Sequence, residues 1–207
     1  RPYGGVSFSV ARDGTIAYSA NDNYDLAAVG ILDGGKARRL TTLNEDLLPL
    51  RELGQVEEIW STTPVDGRRV QSWLIRPPGF DPARKYPLIL EIHGGPFAMY
   101  GPFFSAEYQR YAAEGYVVVY ANPRGSTGYG EEFGQLIDLA YPGNDYDDLM
   151  SVVDAVIEKQ YVDPERLFVT GFGYRVTAYT NRDKPRFFDE EGDEVNRARF
   201  DRDGVDV

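Results

Sequence analysis

Two apolar runs, each closed by glycine, constrain this chain more than any other feature. "YPLILEIHGG" covers residues 86–95 and "GYVVVYANPRG" covers 115–125. Neither run alternates apolar with polar residues, so neither fits a sheet with one wet face. Strands buried on both faces read this way, and they occur in α/β sheets covered by helices on both sides. Between the runs, "FSAEYQRYAAEG" reads as a helix closed by Gly115, since glycine adopts the left-handed C-terminal conformation without strain. A second helix is predicted over 145–159. Leu149, Val152, Val153, Val156 and Ile157 fall at i, i+3, i+4, i+7 and i+8 and form one apolar stripe. Asn144 or Asp145 is the expected cap, and acids in the first turn suit the helix dipole. "DPERLFVTG" then supplies a turn and a short buried strand, Leu167–Thr170.

Upstream, "VEEIWSTTPVDGRRVQSWLIRPPGF" reads as two strands joined around Asp66-Gly67. Val70, Ser72 and Leu74 share one face of the second strand, and Gln71, Trp73 and Ile75 the other. The order β-β-β-α-β-α-β predicts an α/β domain with an open, mostly parallel sheet and flanking helices. Residues 1–50 have another character. Runs at Val6–Val10 and Thr15–Ser19 flank Asp13-Gly14, and "LAAVGILDGGKARRLT" repeats the pattern around Asp33-Gly34-Gly35. Asp-Gly between alternating runs is a hairpin signal, and four short strands fit one blade of a β-propeller. The expected organisation is a blade at 1–50, an α/β domain at 51–187, and an acidic, disordered tail at 188–207. The abrupt start at "RPYGG" and the change of character after Gly171 suit a fragment or a degenerate chain.

Composition narrows the function classes. A formal net charge of −11 supplies no basic field for nucleic acid or an anionic membrane. The absence of cysteine excludes disulfides, thiolate chemistry and cysteine zinc sites. No apolar run approaches the roughly 20 residues of a membrane span. The first residues lack signal-peptide architecture, which slightly favours the cytoplasm. "DRDGVD" in the tail lacks the full ligand set of a calcium loop. The glycine loop "NPRGSTGYG" matches neither phosphate-binding fingerprint, so no nucleotide cofactor is expected.

Three segments point to chemistry. "HGGPFAMYG", residues 93–101, puts glycines at a strand end, where backbone N–H groups can face a cavity as an oxyanion hole requires. "NPRGSTGYG", residues 122–130, is an irregular loop in which Arg124 can pair with a carboxylate or buttress the loop, and Ser126 bonds locally. "LFVTGFGYR", residues 167–175, opens like the strand and sharp turn that present a catalytic serine. Its Gly-x-Ser-x-Gly positions hold Gly171, Phe172, Gly173, Tyr174 and Arg175.

Together, "LILEIHGGP", "ANPRGSTGYG" and "VDPERLFVTG" resemble segments of the prolyl oligopeptidase family of serine peptidases, closest to its acylaminoacyl-peptidase and dipeptidyl-peptidase-like branch. The resemblance covers residues 1 to about 171. It implies the end of a β-propeller followed by part of an α/β-hydrolase domain, with metal-free, cofactor-free hydrolysis of peptide or acyl-peptide bonds. It implies oxyanion donors at the N–H of Gly94 or Gly95 and of Tyr174, and a nucleophile at the position held by Gly173. The family's acid and base have no match in this chain. Removing a triad serine or histidine costs about 10⁶ in kcat, so the chain alone is expected to be inactive.

His93 is the sole histidine. The favoured expectation makes it a loop-ordering residue bonded to backbone; the rival makes it the base for Ser126 or Ser105 in an esterase. A non-catalytic peptide- or protein-binding module is the other rival. A last expectation concerns the strand at 167–170, an apolar sheet edge for the tail or a protein partner to cover.

Overall fold

The computed structural model describes residues 7–25, 28–94, 97–141 and 143–171, with a strand pair at 187–188 and 194–195. Four short strands, β1 (Phe8–Val10), β2 (Ile16–Ala20), β3 (Ala28–Asp33) and β4 (Lys36–Arg39), form an antiparallel meander in sequence order. The β3–β4 turn takes positive φ at both Gly34 (+53°) and Gly35 (+77°), as the Asp-Gly-Gly signal predicts.

The larger sheet comprises β5 (Gln55–Thr62), β6 (Arg69–Arg76), β7 (Tyr86–Ile92), β8 (Val117–Asn122) and β9 (Val162–Gly171), in the order β5-β6-β8-β7-β9. It is mixed rather than mostly parallel. The β5–β6 hairpin is antiparallel by construction, and β6 adds to β8 antiparallel, pairing Trp73 with Tyr120 and Leu74 with Val119. Only β7–β8 and β7–β9 run parallel. The last strand is also longer than predicted. Val162 pairs with Tyr86, and a register shift precedes the regular stretch from Leu167.

Burial explains the apolar runs. Every residue of β8 is buried, and its side chains divide between two cores. Val117, Val119 and Ala121 join Val70, Leu74, Leu88, Leu90 and Ile92 beneath α3 (Asp145–Ile157), whose stripe Leu149, Val152, Val153 and Val156 closes that face. Val118 and Tyr120 join Trp73, Ile75, Tyr100, Tyr108 and Ala112 beneath α1 (Ala106–Ala113). The two predicted faces of β6 therefore meet different helices. Trp73 stacks on Tyr120 at 5.6 Å, and Tyr100 meets the same ring edge-on at 5.4 Å.

Caps set the helix ends. The Ser105 hydroxyl accepts from the Tyr108 N–H and starts α1, so this esterase candidate stands at a helix N-cap. Asn144 makes no side-chain cap on α3; the Asp145 carboxylate instead accepts from the Gly143 N–H. A short helix that sequence periodicity does not reveal, α2 (Glu131–Gln135), follows the glycine loop. At the predicted boundary between domain and tail, β10 (Phe187–Phe188) pairs antiparallel with β11 (Glu194–Val195). Among the described residues no helix is long and apolar enough to cross a membrane.

Candidate functional site

The order of the sheet defines where a ligand can sit. After β7 the chain crosses to α1 on one face; after β8 it crosses to α3 on the other. Adjacent parallel strands whose connections leave toward opposite faces open a crevice at their carboxyl ends, where open α/β sheets bind ligands. The glycine-ended loops of "HGGPFAMYG" and "NPRGSTGYG" lie at this crevice, since they follow β7 and β8.

Hydrogen bonds hold the two loops together. The Asn122 carboxamide meets the Tyr100 backbone at both ends: the Tyr100 N–H donates to Oδ1 at 2.7 Å, and Nδ2 donates to the Tyr100 carbonyl at 3.0 Å. The Thr127 N–H donates to the Ala98 carbonyl at 2.9 Å. His93 Nε2 lies 2.9 Å from Ser126 Oγ, with His93 5% exposed and Ser126 wholly buried. His93, expected to order the loop by bonding to backbone, instead has Nε2 against a serine hydroxyl across the crevice. Burial pulls the imidazole down to about 4, against small opposing effects from the Gly94 backbone and the Asn122 side chain.

Arg124 is the buttress beneath the second loop. Its Nε and Nη2 donate to the two carboxylate oxygens of Asp148 at 2.9 and 2.8 Å, and its backbone N–H donates to Asp148 Oδ2 at 2.8 Å. Both side chains are buried, Arg124 at 5% and Asp148 at 1%. Hydrogen bonding to Asp148 holds the guanidinium above its usual range. Asp66, in the β5–β6 turn, approaches the same guanidinium at 3.4 Å. The pair ties the loop to the first turn of α3. Sequence reasoning expected a carboxylate without naming Asp148, and an acid in a helix's first turn was the available signal.

Two glycines are demanded by close approach. Gly125 has a φ of +92°, and a Cβ there would lie 2.7 Å from Ile137 Cγ2. A Cβ at Gly171 would lie 2.3 Å from the Ile92 carbonyl oxygen, so the end of β9 closes against the end of β7 only as glycine. The strand thus finishes at the same end of the sheet as His93 and Gly94. Of the remaining candidates, Gly95, Gly173 and Tyr174 lie outside the described residues, as do Phe172 and Arg175. Among the described residues no group of acidic or histidine side chains is arranged to hold a metal ion.

Proteins of similar sequence and structure identify the family to which this mixed α/β sheet belongs. The prolyl oligopeptidase family profile matches residues 102–190. The uncharacterized peptidase YuxL of Bacillus subtilis is 46% identical over 142 residues, which is 68% of this chain and 22% of that protein. Dipeptidyl-peptidase 5 of Trichophyton equinum is 33% identical over 175 residues, 81% of this chain and 24% of that protein. The acylaminoacyl peptidase of Pyrococcus horikoshii superposes with a TM-score of 0.74 at 28% identity, covering 81% of this chain and 27% of that one. The chain belongs to the prolyl oligopeptidase family. It spans about a quarter of the length of these relatives.

Proposed function

We propose that this chain supplies the oxyanion-loop half of a serine peptidase site and has lost, in its own sequence, the serine that completes it. The substrate class is a peptide or acyl-peptide cleaved near its N-terminus, in keeping with the dipeptidyl and acylaminoacyl peptidases it is similar to. The first fifty residues are read as a propeller blade, from their four-stranded meander. The observation that carries the proposal is the convergence of Gly94 and the end of β9 at one switch-point crevice, with Gly171 closed against Ile92. A loop there offers backbone N–H groups to a tetrahedral oxyanion. Gly173 offers no hydroxyl to form an acyl-enzyme. The chain then retains peptide binding without efficient turnover.

The rival esterase, with Ser126 as nucleophile and His93 as base, brings the two atoms into contact but puts the hydroxyl out of reach. Ser126 is fully buried, and its Oγ donates to the Pro123 carbonyl at 2.7 Å. Intact mass after treatment with a fluorophosphonate serine-hydrolase probe tests the reading. The expected result is an unmodified chain of 23.3 kDa. A stoichiometric adduct on any serine would overturn it.

A further inference from the structure

The contact between His93 and Ser126 has only one self-consistent arrangement of protons. Ser126 Oγ has two close neighbours, His93 Nε2 at 2.9 Å and the Pro123 carbonyl oxygen at 2.7 Å. A hydroxyl carries one proton. The carbonyl can only accept, so at 2.7 Å it takes the hydroxyl proton. Were that proton turned toward His93, two oxygen lone pairs would face each other at hydrogen-bond distance in a buried site. His93 Nε2 must then carry its own proton and donate it to Ser126. A neutral imidazole carries one proton, so Nδ1 is then bare. The edge-on Tyr100 ring, 5.0 Å away, packs against the imidazole and holds its plane.

We propose that His93 is a positioning residue fixed as the Nε2–H tautomer, and that the relay His93 Nε2–H to Ser126 Oγ–H to Pro123 carbonyl clasps the two loops across the switch-point crevice. The relay joins the end of β7 to the loop after β8, so it sets where the Gly94 backbone lies. The clasp itself rests on hydrogen-bond geometry. Its consequence for an oxyanion donor at Gly94 rests on the peptidase reading above. In this state the serine hydroxyl is committed to a carbonyl and the imidazole offers it no base, so the pair is a structural bond and not a nucleophile–base dyad.

The single histidine makes the test direct. Nitrogen-15 NMR of the labelled chain near neutral pH is expected to show one imidazole with a bare Nδ1 and a protonated, slowly exchanging Nε2. Hydrogen exchange at the Thr127 amide, bonded to Ala98, reads the clasp locally. Ser126→Ala and His93→Asn are expected to speed that exchange by roughly tenfold or more, the loss of one buried hydrogen bond. His93→Gln, whose amide N–H can reach the Nε2 position, is expected to restore it to near the parent rate. An Nδ1–H tautomer in the unmodified chain overturns the proposal without recourse to any variant. So does a Thr127 rate unchanged by Ser126→Ala in a folded protein. Failure of peptide binding would sink the peptidase reading and leave the tautomer untouched.

Discussion

Arg124 and Asp148 form the most consequential pair at the scale of single residues. Three hydrogen bonds converge on one buried carboxylate, and the buried guanidinium also meets Asp66 at a longer 3.4 Å. Breaking one side of such a pair strands the other charge. Asp148→Asn is expected to destabilise the fold by about 3 kcal/mol, measured by urea unfolding, and to loosen the loop at 122–130 ahead of the rest. His93 yields a second expectation. Its folded value near 4 lies below the ordinary 6.5, so the folded protein keeps it neutral while the unfolded chain takes up a proton. Its contribution is complete above pH 6.5 and is lost progressively as pH falls toward 4. The full span corresponds to about 3 kcal/mol at roughly 1.4 kcal/mol per unit. Carboxylates titrate in the same range, so the comparison is with His93→Gln, whose stability should fall less steeply over this window. Parallel pH profiles for the two proteins would show that His93 is not the group responsible.

At the scale of elements, α3 and β8 were plain in the sequence, α3 from its helical stripe and β8 from its unbroken apolar run. The stripe of α3 buries Leu149, Val152, Val153 and Val156 against the sheet, as its spacing requires. Val152→Ala is expected to destabilise by about 2 kcal/mol through lost burial and a residual cavity. Tyr146→Ala, on the same helix but 40% exposed, should stay within about 0.5 kcal/mol. Similar losses for the two variants in a thermal or urea melt would mean that the stripe is not the helix's anchor. Other features had no local signature. Pairing β6 with β8 is non-local, and an apolar run does not specify its neighbour's direction; hence the mixed sheet. The helix α2 is too short to show a period. The partners of the loop residues were also hidden, for Arg124 reaches Asp148 across 24 positions and His93 reaches Ser126 across 33. Residue types announced that these groups would be satisfied, while only the fold shows by whom.

Among the described residues the sheet ends in two edges, β5 and β9, and they differ in what they present. The first half of β9 holds Asp163, Glu165 and Arg166, which guard it against pairing with another chain. Its second half, Leu167–Gly171, is uncharged and pairs on one side with β7. Beside it Leu88, Leu90, Met150, Val153, Leu167 and Phe168 line a mostly apolar groove that also includes Asp154. An uncharged edge next to an apolar groove is a template for strand addition, and the net charge of −11 is the force opposing it. The two act over different ranges. Charge repulsion between chains is screened beyond about 8 Å at physiological salt, while backbone pairing and apolar contact are not. Self-association should therefore strengthen with both protein concentration and salt. Sedimentation velocity across a salt series measures it directly. Thr170→Lys, which places a charge within the bare half of the strand, is expected to return the chain to monomer at every salt. Monomeric behaviour of the unmodified chain throughout the series would mean that the edge is already covered, and association that Thr170→Lys leaves unchanged would move the contact to another surface.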